Sequence, residues 1–158
     1  MNINDILLGG GVGVLIALLL ALPALFAEMN RKAHKGGSHI VLPDVHSFLG
    51  RKLQDREVLA LGLLIHLLAG LGYGVFFPLT VQLGFWVQIE AYSALSHIVF
   101  ALCAWATLGF VVFPALGFGI MGYKEDKWMW FEVFVTTAIM AILFAITINW
   151  FQPSWFLV

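Results

Sequence analysis

Charge is what this chain has least of. Of its 158 residues only 11% are Asp, Glu, Lys or Arg, against about a quarter in a soluble domain. That scarcity leaves no room for a separate water-soluble domain. The net charge of −1 says nothing about nucleic acid, and no nucleic-acid partner is expected. The one cysteine, Cys103, excludes an intrachain disulfide and is expected to act as a small apolar packing residue. Basic residues are missing from the opening Met-Asn-Ile-Asn-Asp-Ile, and no small-residue cleavage site leads into a polar chain. The first apolar run is therefore expected to stay as a span. Phosphate loops, nucleophile triads and paired-carboxylate motifs are missing too.

What is present is hydrocarbon. Hydrophobic residues make up 61% and the mean hydropathy is +0.96. Apolar runs over 6–27, 57–83, 92–116 and 128–150 each reach the roughly 20 residues that cross a bilayer as a helix. The chain is expected to be all-α, an integral membrane four-helix bundle in one transmembrane domain, with loops at 28–56 and 117–127. All eight Lys and Arg lie in those two loops. The positive-inside rule then puts both loops in the cytoplasm and both termini outside a cell (inner or cytoplasmic) membrane. Trp86, Tyr92, Trp150 and Trp155 would mark the outer interface, and Tyr123, Trp128 and Trp130 the inner one. Residues 44–53, after Pro43, read as a short amphipathic helix capped by Asp44, with Arg51 and Lys52 reaching lipid phosphates. Leu22-Pro-Ala-Leu25 and Phe113-Pro-Ala-Leu116 suggest two parallel helical hairpins.

Small residues recur along one side of every span, at the helical i+4 or i+3 spacing. Gly9, Gly13, Ala17 and Ala21 form one stripe, and Gly62, His66, Gly70 and Gly74 a second. Ser93, His97, Ala101, Ala104 and Leu108 form a third, and Thr137, Ala141, Ala145 and Asn149 a fourth. Such stripes admit close helix approach in lipid.

Ionisable groups inside a span are costly and often functional. The spans hold His66, His97 and Glu132. By residue count His66 lies about 13 Å from the inner boundary and His97 about 8–10 Å from the outer one. In a core of about 30 Å their heights differ by roughly 7 Å. Three uses of the histidines stay open: hydrogen bonds that fix helix packing, haem b held between His66 and His97, or a proton or ion path. No further ligand at fitting spacing supports another metal site. Glu132, at the start of a helix and near Lys124 and Lys127, suits a structural carboxylate. The loop residues His34, His39 and His46 have no recognisable ligand spacing.

His-Leu-Leu-Ala-Gly-Leu-Gly-Tyr-Gly (66–74), Val-Phe-Pro-Ala-Leu-Gly-Phe-Gly-Ile-Met-Gly (112–122) and Phe-Leu-Gly-Arg-Lys-Leu (48–53) together resemble a group of small bacterial and archaeal four-span integral membrane proteins of unknown function. That resemblance implies the four-helix layout and supplies no activity. The function expected from the residues is that of a non-catalytic integral membrane protein without a cofactor. It would act through helix–helix contacts in the lipid bilayer, as an accessory subunit of a larger complex or as copies of itself. The alternatives are a cytochrome b-type electron carrier using His66 and His97, and a small oligomeric transporter or channel.

Overall fold

In hydrocarbon a backbone must satisfy its own hydrogen bonds, and each of the four apolar runs does so as a helix. The computed structural model describes residues 2–31, 47–48, 51–86, 89–152 and 154–156. Helix α1 is Ile3–Arg31, α2 is Asp55–Gln82, α3 is Ala94–Ala115 and α4 is Met129–Phe151. All four are long and apolar enough to cross a membrane. The chain is an all-α four-helix bundle with the make-up of a multi-pass membrane protein. The segment 32–46, with its three histidines, lies outside the described residues.

Local chemistry explains the ends. Gln54 and Glu57 close a capping box at the start of α2, and Arg51 Nη2 meets Glu57 Oε1 at 2.7 Å. Ser93 Oγ caps α3 by accepting from the Ser96 N–H at 3.2 Å. Near its far end α3 widens into a π-turn over Leu108–Val112. Pro114, lacking an N–H, stands two residues after Val112, and the wider turn absorbs the lost bond. Beyond Ala115 the chain reverses through Gly117 and Gly119, at φ 90° and 76°, a region that favours glycine.

The expected surface helix over 44–53 is not what the described part of that segment forms. Ser47–Phe48 (β1) pairs antiparallel with Arg51–Lys52 (β2), Ser47 opposite Lys52 and Phe48 opposite Arg51. Gly50, costly inside a helix, stands in the sequence between the paired residues.

The helices make two hairpins that run side by side. Asn2 joins the first helix to the end of the second: its N–H donates to Gln82 Oε1 at 2.8 Å, and Gln82 Nε2 donates back to Asn2 O at 3.0 Å. The α1–α2 hairpin is the tighter. A Cβ built on Gly70 would lie 2.6 Å from both Gly13 O and the Ala17 methyl. A Cβ on Gly13 would meet Gly70 O, and Gly9 and Gly74 block each other in the same way. The Cα hydrogens of each glycine thus face a carbonyl of the other helix, a contact worth about 0.5–1 kcal/mol each. Each step of four up α1 is a step of four down α2. The two Pro-Ala-Leu sequences differ in role: α1 continues past Pro23 to Arg31, whereas α3 ends one residue after Pro114.

The core is aromatic. Phe77, fully buried on α2, has its ring centroid 4.3 Å from His97, 5.1 Å from Phe100, 5.7 Å from Tyr92, 6.0 Å from Trp86 and 6.2 Å from Phe144. A second cluster of Phe113, Phe118 and Met129, joined by Leu53, Leu61 and Ile65, closes the opposite end. Cys103, expected to pack inside, is exposed on α3.

Replacing Gly70 by Leu forces the seam apart, and a loss of at least about 2 kcal/mol is expected from overpacking against backbone. Reversible unfolding in mixed detergent micelles measures it, with the exposed Leu68→Ala, expected within about 0.5 kcal/mol of the parent, as reference.

Candidate functional site

His66 is buried in the α1–α2 seam, and its Nε2 lies 3.0 Å from the Ala17 carbonyl. A carbonyl only accepts, so Nε2 carries the hydrogen and donates it. The bond ties the two helices together between their small residues. Gly62, one turn along α2, is buried as well.

His97 faces other neighbours. Its Nδ1 donates to Ser93 O at 2.8 Å, and its ring rests on Phe77. Nε2 is buried and has no hydrogen-bond partner. His97 is thus level with Phe77, which is eleven residues from His66 along α2, about 16 Å by helical rise. That exceeds the difference expected from counting residues. Two imidazoles on one metal place their nitrogens about 4 Å apart, since metal–nitrogen bonds are about 2 Å. These two point at different helices at different depths, so the geometry gives the haem alternative no support. Glu132 is half-buried in the first turn of α4, where unpaired helix N–H groups favour a carboxylate.

His97 also borders a groove between α3 and α4. It encloses about 410 Å³ and is lined mainly by alanines and larger aliphatic residues, with Trp105 and Phe134 in edge contact at one end. Thr137 and Asn149 are its other polar lining residues. The third and fourth small-residue stripes face each other here, and alanines on both walls leave the gap.

The second polar site lies at the end of the bundle where α1 begins. Asp5 is fully buried. Its Oδ2 accepts from Asn2 Nδ2 at 3.0 Å, and its Oδ1 accepts from the Phe156 backbone N–H at 3.2 Å. The tail thereby folds back over the helix ends. Phe156 is buried rather than free for a partner, and its ring meets Tyr92 at 5.5 Å. Both Tyr92 and Phe156 have left-handed backbones, at φ 59° and 56°. Such strain persists only where surrounding contacts impose it. Burial, with the Asp5 carboxylate nearby, pushes the Tyr92 phenol well above its ordinary range.

Sequence reasoning set Asp5 just outside the first span and missed this cap. The signal was present: Asp5 stands four residues before Gly9, on the same stripe. Comparison with family models, with curated proteins and with solved structures finds no match.

Asp5→Ala is expected to cost about 1–3 kcal/mol by orphaning the tail amide, and to speed proteolysis after Trp150, read by mass spectrometry of limited digests. The Tyr92 phenol sets a second expectation. Its folded form holds the proton more tightly than the unfolded chain, so its contribution is whole below pH 10 and falls as pH rises above that. Melting temperatures taken from pH 8 to 11 should drop above pH 10, and Tyr92→Phe should remove part of the drop.

Proposed function

We propose that this chain is a non-catalytic integral membrane protein of the cell membrane that works through helix–helix contacts. It serves as an accessory subunit of a larger membrane complex or as an oligomer of itself. Both termini lie outside, and the loops that carry the basic residues lie in the cytoplasm. The exposed Lys124 and Lys127 lie at the opposite end of the bundle from Asn2, Trp86 and Phe156, as that orientation requires.

One observation carries the reading. Gly11 lies inside α1, two turns from its start, exposed, and a Cβ built there meets nothing within 4 Å. Glycine inside a helix costs about 1 kcal/mol relative to alanine, and the chain's own packing gains nothing from it. Gly9 and Gly13, two residues to either side, are both consumed by the seam with α2. The exposed Leu7 and Leu15 stand one turn above and below Gly11. Together they make a notch between two ridges, a shape that receives a neighbouring helix closely. The buried polar groups point the same way. His66 and Asp5 are occupied by bonds within the bundle, which suits structure rather than turnover.

Gly11→Leu fills the notch without touching the internal seam. The variant is expected to unfold within about 0.5 kcal/mol of the parent yet to lose its partner chains, or its own oligomer, on gentle solubilisation. Native mass spectrometry of parent and variant distinguishes the two. A parent that emerges as a lone monomer, or a variant that keeps every partner, refutes the reading.

A further inference from the structure

At the end of the bundle where α1 begins, two donors compete for one carboxylate. Asp5 Oδ2 is taken by the Asn2 side chain, and Oδ1 accepts from the Phe156 N–H at 3.2 Å. The second donor is the Tyr92 hydroxyl, which is buried and has no hydrogen-bond partner. Its ring meets the Phe156 ring at 5.5 Å, and the Asp5 charge bears on its phenol. A buried donor without an acceptor is expensive, and folded proteins seldom keep one. Here the nearby oxygen that would accept it is already engaged by the tail.

The tail's hold is narrow. Among the described residues after α4, Gln152, Ser154 and Trp155 are exposed and Phe156 alone is buried. Phe156 and Tyr92 both keep left-handed backbones, a conformation that costs energy in any residue but glycine. Lifting the Phe156 ring from Tyr92 lets both relax and frees Oδ1 for the phenol. It also delivers the Phe156 N–H to a rim where Asn2, Gly84 and Glu90 are exposed, so water takes that donor. Each arrangement gives Oδ1 one donor. The first adds a buried ring, and the second satisfies the hydroxyl and releases two left-handed residues.

We infer that the tail around Phe156 is a strap with two positions, closed when Asp5 Oδ1 accepts from the Phe156 N–H and open when it accepts from the Tyr92 hydroxyl. Opening uncovers Tyr92 and, behind it, Phe77 at the centre of the core. The inference does not depend on the notch at Gly11, and either can fail alone. It gives Tyr92 an unexpected sign: the ring packs on the strap while the hydroxyl works against its closure.

Hydrogen–deuterium exchange of the full chain in phosphatidylcholine nanodiscs, read by mass spectrometry, follows the strap. Tail amides of the parent should exchange well ahead of those around Phe77. Tyr92→Phe removes a donor that is orphaned in the closed position and satisfied in the open one. It should slow exchange in the tail about tenfold and leave the α1–α2 seam unchanged. Biosynthetic replacement of tyrosine by 3-fluorotyrosine, a stronger donor, should speed tail exchange at neutral pH. Unchanged or faster tail exchange in Tyr92→Phe overturns the inference, and a water trapped on the hydroxyl would give that result. A slowing shared equally by the seam overturns it too, as do parent tail amides no faster than those around Phe77. If Tyr92→Phe fails to fold, the fluorotyrosine chain decides, and tail exchange no faster than the parent's overturns the inference.

Discussion

The backbone-to-backbone seam between α1 and α2 is the contact on which the rest of the bundle depends. In water two apolar helices associate because water rejects both. In hydrocarbon that drive vanishes, and close packing and hydrogen bonds must supply the attraction. Gly9, Gly13, Gly70 and Gly74 let each helix reach the other's carbonyls, and Ala17 O takes the His66 hydrogen. Each interaction is weak alone. Together they recur at every turn along a common register, which fixes rotation and height of α2 relative to α1. That placement carries Phe77 to the centre of the bundle, where Tyr92, His97, Phe100 and Phe144 gather on it.

The second hairpin solves the same problem less completely. Its stripes are alanine, with a serine, a histidine, a threonine and an asparagine, and alanine holds helices further apart than glycine does. Contact between α3 and α4 comes instead from bulky residues, such as the edge-on pair Trp105 and Phe134. A gap remains between the walls. One sequence device, a small residue every fourth position, thus produces a sealed seam in one hairpin and an open groove in the other. The difference is one methyl group per turn.

Polar groups in this bundle are settled by local geometry. His66 sits where a partner carbonyl is within reach. Asp5 lies in the first turn of α1, where helix N–H groups favour a carboxylate, and it receives the Asn2 amide and the tail's Phe156 N–H. His97 is bonded through Nδ1 alone. The occupied groups account for how the helices are held. The unneeded glycine at position 11 is a feature that packing of the bundle leaves unexplained, and it lies where the protein meets its surroundings.

The sequence by itself determined the medium and the number of helices, because four long apolar runs can satisfy their backbones in lipid only as helices. It also marked which small residues line up along one side of each helix, since i+4 spacing is a local property of the chain. Which stripe meets which was decided only by the tertiary structure. Gly9 pairs with Gly74 and Ala17 with His66 through a register set between distant segments, and no spacing within one segment encodes it. The separation of His66 from His97 escaped residue counting for the same reason, since tilt and rotation belong to packed pairs. The surface helix expected at 44–53 gave way to a short paired hairpin, because capping and periodicity there were weak against Gly50. Asp5 was legible only as the first member of a stripe. Its burial arose when the far end of the chain returned across it, a contact between residues separated by almost the whole chain.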